Sequence, residues 1–359
     1  MIRGIAALRA LAVWMVVIHH LRTPLGTIWP PLAETPVFAA GVDLFFVISG
    51  VVMVVSTAGG HTGAGQFWAR RATRIMPLYW LVTGAVIAAL VMGLRPLGIA
   101  GWSGQDALTS FFLLPDIRSD GYPAPLLAVG WTLVFEAFFY LIFGLALIAR
   151  AWVEPGPVVA LSMLMLISLG ALILPEGHAG EVVTSPLLLE FAAGVCLGLF
   201  ARNLKGMSPL TALVLVLSAL AVLVVGTADM IARLGPVDLI TTGRDGAFLR
   251  VGTFGIPACL IVAAALVMEG ACWRLPPTVA GQAAASYAIY LIHMPLLQVG
   301  EKLLGHGPLL ILMMPVIAIA GVIVHRWLER PLTHAARALV SPQQRPKSSS
   351  SRMISSSSR

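Results

Sequence analysis

Apolar runs of about 17 to 20 residues recur from one end of the chain to the other, broken by short polar stretches. Each run is long enough to cross a hydrocarbon core of about 30 Å as a helix, the form in which a single segment satisfies its own backbone hydrogen bonds in lipid. Ten spans are predicted, at about 5–22, 37–57, 76–93, 131–149, 157–174, 184–201, 208–227, 251–269, 282–299 and 308–326. The fold class that follows is an all-α integral membrane protein, a bundle of about ten transmembrane helices. The first run lies behind Arg3 as a secretory signal would, yet no small-x-small cleavage site closes it, so it is expected to be retained.

Composition supports the membrane as solvent. Of 359 residues, 58% are hydrophobic and 11% charged, whereas soluble domains carry about a quarter charged residues. The formal charge of +7 does not point to nucleic acid, because the basic residues are scattered at the ends of apolar runs and form no stripe. Cys196, Cys259 and Cys272 lie in or beside apolar runs with no metal-ligand spacing, so neither a disulfide framework nor a metal site is indicated.

With a cytoplasmic N-terminus, the inside segments hold Arg3, Arg9, Arg70, Arg71, Arg74, Arg150, Arg202, Lys205, Arg274 and every basic residue from Arg326 onward. The outside segments hold Arg22, Arg95, Arg118, Arg233, Arg244, Arg250 and Lys302. This asymmetry obeys the positive-inside rule and places both termini in the cytoplasm, in the inner (plasma) membrane. The longest loop, about residues 94–130, is then outside, with Phe111, Phe112 and Leu113 suited to the interface. Residues 1–335 are expected to form one membrane domain, and 336–359 a Ser-rich cytoplasmic tail too polar to bury a core.

Ionisable side chains at membrane depth are costly unless paired or wetted, so they mark candidate sites. Arg9 and His20 are eleven residues apart, three helical turns plus about 20°, and share a helix face that His19 does not. Counting along the spans puts His20, Asp43, Glu136 and His293 at one level in the outer half, which predicts a wet polar cavity there. Several ionisable residues also have a plainer reading: Asp43 as a charge favouring a helix N-terminus, His293 as a hydrogen-bonded structural histidine, His19 as a packing or interfacial residue, and Glu190 and Glu269 as structural residues. On the opposite face, FWARRATRIMPLYW is expected to be a cytoplasmic loop presenting Arg70, Arg71 and Arg74, with Arg71 and Arg74 one turn apart. Arginine forks suit phosphate oxygens, and equally they suit lipid headgroups and orientation by charge.

Taken together, IRGIAALRALAVWMVVIHH, GVDLFFVISGVVM, FWARRATRIMPLYW, AVGWTLVFEAFFYLIF, SYAIYLIHMPLL and the closing ERPL resemble the acyltransferase 3 family of integral membrane acyltransferases, and its ExoZ-like exopolysaccharide branch. These stretches fall in order over about residues 2–332. The family's first-helix signature of a basic residue, ten others and a histidine maps onto Arg9 and His20. Its loop arginines map onto Arg71 and Arg74, and its motif carboxylate onto Glu136. Many relatives carry a second Glu where this chain has Ala137, which favours the ExoZ-like branch.

The resemblance implies transfer of an acyl group, usually acetyl, from cytoplasmic acetyl-CoA to a carbohydrate or lipid-linked glycan hydroxyl near the outer face. Arg9, Arg71 and Arg74 would hold the donor. His20, Glu136 and Asp43 would serve the chemistry, with His20 taking the hydroxyl proton and a carboxylate orienting its ring. Tyr79, Trp131, Tyr287 and His293 would line the substrate pocket. No bound cofactor and no metal are implied. Partners would be acyl-CoA, the acceptor glycan, the bilayer and polysaccharide-synthesis machinery. Some relatives carry an extracytoplasmic SGNH-type domain after the last span. This chain runs into its Ser-rich tail, so the membrane domain or a separate protein is expected to complete the transfer. A rival reading from buried His, Asp and Glu alone is a proton-coupled transporter or glycan flippase, weakened by the lack of an internal repeat with paired broken helices.

Overall fold

The computed structural model describes residues 2–60, 62–175, 177–234, 243–270 and 274–340. Ten helices in it are long and apolar enough to cross a membrane: α1 (Arg3–Gly26), α2 (Val37–Thr57), α3 (Ala64–Val91), α4 (Ala128–Ile148), α5 (Pro155–Ile173), α6 (His178–Leu199), α7 (Pro209–Arg233), α8 (Gly243–Val267), α9 (Pro277–Leu304) and α10 (Pro308–Val340). They alternate in direction. The start of α1, the ends of α2, α4 and α8 and the start of α3 therefore meet at one end, where Glu269 accepts the backbone amides of Arg3 and Gly4 and Arg150 donates to the Thr57 carbonyl. We call this the basic end.

Two boundaries differ from the sequence expectation in ways that matter. The segment holding Arg70, Arg71 and Arg74 is not a loop: α3 begins at Ala64 and carries these residues in its first turns. No proline stands before Pro77 to interrupt it, and Gly63 just before its start is extended. The last helix continues to Val340, past the boundary expected near 335. Residues 341–359, which include most of the anticipated tail, and Cys272 lie outside the described residues. Cys196 and Cys259 are free thiols.

The core forms where small residues let helices close. Along the α2–α6 contact, a Cβ added to Gly50 would sit 2.5 Å from the Phe191 carbonyl oxygen, and one on Gly194 would strike the Val47 carbonyl. Glycine is required at both positions by backbone approach, as in other close membrane helix pairs. Phe46, Phe139 and Phe191 stack across this contact, with ring centroids 4.5 Å and 4.7 Å apart. Two π-helical segments, Val251–Gly255 in α8 and His325–Glu329 in α10, locally widen the turn. Each stands beside a buried charge, as π segments often do at functional positions.

At the end opposite the basic one, residues 92–127 fold over the bundle. Their short helix Gly104–Phe111 is started by a capping box between Ser103 and Asp106. Phe111 stacks on Trp80 of α3 at 5.3 Å, Leu113 is buried and Phe112 is exposed. Tyr79 is fully buried, and its hydroxyl donates to the Ser110 carbonyl at 2.6 Å, tying this segment to α3.

Candidate active site

Two cavities stack along the bundle. The first, of about 140 Å³, lies in the basic half and is lined by Arg9, Arg71, Arg74, Glu136, Tyr140 and Tyr287 among others. The second, of about 330 Å³, lies in the opposite half and is lined by His19, His20, Arg22, Trp131, Arg250 and Tyr290 among others. Val42 and Tyr290 belong to both linings, so these two side chains form the wall between them.

In the first cavity three arginines converge from two helices, each steadied by a different device. Arg9 of α1 donates to the Ser286 hydroxyl of α9 at 2.8 Å. Arg71 donates to Ser56 at 3.2 Å and lies over the rings of Phe67 and Tyr140, at 5.5 Å and 5.8 Å. Its Nε is buried without a hydrogen-bond partner. Arg74 faces the buried carboxylate of Glu329 at 3.6 Å, and Glu329 is held in turn by His325 at 2.7 Å across the π segment of α10. Arg70, by contrast, is exposed and lines neither cavity. A site with three guanidinium groups, one buried donor unmet, is suited to an anion rich in oxygen acceptors such as phosphate.

Glu136 lies among these arginines. Its carboxylate accepts from Ser49 at 2.9 Å and from the hydroxyl of Tyr140, one turn further along α4. It is therefore not beside His20, and the expectation that a carboxylate orients the His20 ring is corrected here. The α-helical part of α4 starts at Trp131, as expected, after the single turn Ala128–Gly130, and Glu136 lies about 12 Å below Ala128 at 1.5 Å per residue. The face of α4 it occupies, towards Ser49 and the arginines, is what parts it from His20. His20 is six residues from the end of α1, about 9 Å from that surface.

His20 is oriented by another histidine. Its Nδ1 is 2.9 Å from the Val16 carbonyl oxygen and 3.4 Å from Nε2 of His293, with the two ring centroids 5.0 Å apart. His293 is fully buried, and its Nδ1 is 2.7 Å from the Tyr290 carbonyl and 3.3 Å from that of Ile289. A carbonyl only accepts, so the neutral His293 carries its hydrogen on Nδ1 and presents a lone pair at Nε2. By the same logic Nδ1–H of His20 serves Val16 and His293, which assigns the basic lone pair of His20 to Nε2. His19 lines the same cavity, its ring edge-on to that of His20 with centroids 5.3 Å apart.

Asp43 is also corrected. It is fully buried, lines neither cavity and is gripped by Arg250 through two hydrogen bonds, Nε to Oδ1 at 3.0 Å and NH2 to Oδ2 at 2.8 Å. Both carboxylate oxygens are engaged, which suits a structural pair rather than a proton carrier. Arg250 was expected only as one of the basic residues of the outside segments. Instead it is 3% exposed, lines the His20 cavity and lies over the ring of Trp131 at 5.5 Å. Glu190 is buried beside this pair, its carboxyl within hydrogen-bonding reach of Asp43.

Of the expected pocket residues, Trp131 lines the His20 cavity and Tyr287 the arginine cavity, where its hydroxyl donates to the Ile75 carbonyl at 2.8 Å. Tyr79 lines neither, because its side chain is occupied with the Ser110 carbonyl. His293 lines neither and acts through His20. Sequence reasoning overlooked Arg250, Ser49, Tyr140, Ser286, Tyr290 and Glu329. All but Arg250 lie inside the motif stretches quoted above, Glu329 as the acidic residue of the closing ERPL.

The acyltransferase domain of the acyltransferase 3 family matches residues 2–327. The chain is 35% identical over 308 residues to the exopolysaccharide production protein ExoZ of Rhizobium meliloti (strain 1021), covering 84% of this chain and 91% of that protein. It is 28% identical over 169 residues to the putative peptidoglycan O-acetyltransferase YrhL of Bacillus subtilis (strain 168), covering 42% of this chain and 24% of that protein. No solved structure matches. The ten apolar helices and the match over nearly the whole chain place this protein in the acyltransferase 3 family, as a multi-pass membrane acyltransferase.

Proposed function

We propose that the protein moves an acetyl-type group from acyl-CoA in the cytoplasm to a hydroxyl of an exopolysaccharide or lipid-linked glycan on the far side of the inner membrane. The observation that carries this reading is the stacking of two unlike cavities, one holding Arg9, Arg71 and Arg74 and the next holding His20, divided by Val42 and Tyr290. In this reading the basic end, with both termini, faces the cytoplasm, in keeping with the positive-inside rule.

The arginines bind the phosphates of the donor. The acyl end lies at the Val42–Tyr290 wall, and the acceptor hydroxyl comes from the His20 side. The hydroxyl oxygen attacks the thioester carbonyl as Nε2 of His20 takes its proton, the carbon–sulfur bond breaks, and the CoA sulfur receives the proton. The products are an ester and free CoA. General-base catalysis of this kind contributes about 10²- to 10⁴-fold. Glu136, bonded to Ser49 and Tyr140, supports the donor cavity instead of the base.

The deciding experiment compares surface polysaccharide from cells with and without the protein, by mass spectrometry before and after mild base. Base-labile acetyl groups that depend on the protein are the expected result. Unchanged acetylation with altered export would mean a transporter and would sink this reading.

A further inference from the structure

The His20 cavity is rich in hydrogen-bond donors and poor in acceptors. Arg22, two residues beyond His20 on α1, lines it half-buried and makes no hydrogen bond or ion pair among the described residues. Arg250 lines it from α8, with Nε and NH2 engaged by Asp43 and NH2 also 3.4 Å from the Ala39 carbonyl oxygen, while NH1 has no partner among the described residues. The indole N–H of Trp131, whose ring lies under that guanidinium, is likewise unbonded among them. Against these donors no carboxylate lines the cavity, and the Tyr290 hydroxyl is taken up by the Val129 carbonyl at 2.9 Å and by Thr132 at 2.7 Å. Asp43 offsets the charge of Arg250, so the charge of Arg22 is left without a counter-ion there. An unpaired guanidinium at the edge of a hydrocarbon core is costly, and it marks a place for an anion.

We propose that the His20 cavity contains an anion subsite, and that the molecule acylated carries an acidic group, a phosphate or a carboxylate, held by Arg22, Arg250 and Trp131. The proposal rests on the acyl-transfer reading and adds to it the charge of the acceptor. An ionised oxyanion supplies several acceptor lone pairs and no donor, the complement of this lining. A wholly neutral acceptor would leave Arg22 without a counter-charge and would bring hydroxyl donors up against donors. Arginine forks bind phosphate and carboxylate oxygens alike, so the two groups are alternatives for one site. At about 330 Å³ the cavity has room for the acid together with a neighbouring hydroxyl. The acidic group anchors the acceptor at Arg22 and Arg250, and the hydroxyl is left facing Nε2 of His20.

The test is isothermal titration calorimetry on the full-length protein in dodecyl maltoside, saturated with CoA so that the arginine cavity of the basic half is filled. Glucose, glucose 1-phosphate and glucuronate are the probes, three related molecules that differ in charge. At least one acidic probe is expected to bind about tenfold or more tightly than glucose, the effect of a charge-assisted hydrogen bond. Which of the two binds tells phosphate from carboxylate. Arg22→Gln should remove the preference, Arg22→Lys should keep part of it, and Arg70→Gln, exposed on α3, should leave it intact. Equal binding of all three probes, or a preference that survives Arg22→Gln, would overturn the subsite. The titration is repeated in phosphatidylglycerol nanodiscs, where binding should persist. Its loss there would also overturn the proposal, because a lipid phosphate would then fill the site. Base-labile acetyl on surface polysaccharide, measured in cells with and without the protein, keeps the two readings apart. Protein-dependent acetylation with no preference for acid leaves acyl transfer standing, whereas acetylation absent even with the parent protein defeats acyl transfer itself.

Discussion

Nε2 of His293 lies 3.4 Å from Nδ1 of His20, and the backbone carbonyl of Tyr290 fixes the His293 ring at 2.7 Å. One histidine, out of reach of either cavity, thus sets the tautomer of another that lines one. The same device orients histidines in other sites, where a second group bonded to one ring nitrogen decides which nitrogen is basic.

His293 should therefore act as a positioning residue. His20→Ala is expected to lower kcat by about 10²- to 10⁴-fold. His293→Ala should lower kcat by about tenfold, the cost of one lost hydrogen bond of roughly 1.4 kcal/mol, with the KM for acetyl-CoA unchanged. The double variant should match His20→Ala alone, because the pair acts as a unit. Steady-state CoA release by purified variants measures all three. Additive losses, or a His19→Ala variant more impaired than His20→Ala, would contradict the assignment.

The arginines should separate by position. Arg71→Gln and Arg74→Gln should each raise the KM for acetyl-CoA by about tenfold or more, since hydrogen bonds to charged groups contribute roughly 1.5–3 kcal/mol. Arg70→Gln, exposed on the same helix, should leave KM unchanged. Equal effects at all three positions would favour a general electrostatic or topological role. Glu329→Gln tests the support for Arg74 and should raise the same KM less than Arg74→Gln does.

The Asp43–Arg250 pair should behave as structure. Removing one partner of a buried ion pair costs about 3–5 kcal/mol, whereas replacing both with apolar groups is often neutral. Asp43→Leu should lower the thermal midpoint of the detergent-purified protein, and Asp43→Leu with Arg250→Met should recover much of it. Asp43→Asn with an unaltered thermal midpoint but lost turnover would restore a catalytic role for the carboxylate.

The segment over the end opposite the basic one should be acid-sensitive. The Arg118 guanidinium, bonded at 2.9 Å and 2.6 Å, holds the Asp120 carboxyl below the usual carboxylate range. Burial acts to raise the Asp106 carboxyl, but hydrogen bonds from Ser119 and Ser103 outweigh it and the net direction is downward. Depressed folded-state values contribute stability that is present above the unfolded value, about 3.9, and lost as pH falls through the folded one. Hydrogen exchange over residues 103–122 should accordingly quicken below about pH 4, and less so in Asp106→Asn, which has already lost this contribution. Acid-independent exchange in the parent protein would show that these carboxylates do not hold the segment.

The sequence by itself determined the ten spans, because the length of an apolar run decides locally whether a helix crosses the bilayer. It also determined the helix face shared by Arg9 and His20 and the spacing of Arg71 and Arg74, which follow from 3.6 residues per turn. Tertiary structure decided which of these residues meet. His293 reaches His20 across 273 positions, and Arg250 reaches Asp43 across 207. Glu136 is placed with the arginines by the rotation of α4, whose α-helical part begins at Trp131 as expected. Hydropathy averages over a window and is insensitive to a shift of one turn, about 5 Å. The depth and rotation of a helix are fixed by side chains packing against their neighbours, here by contacts such as Gly50 on Phe191 and Tyr79 on Ser110.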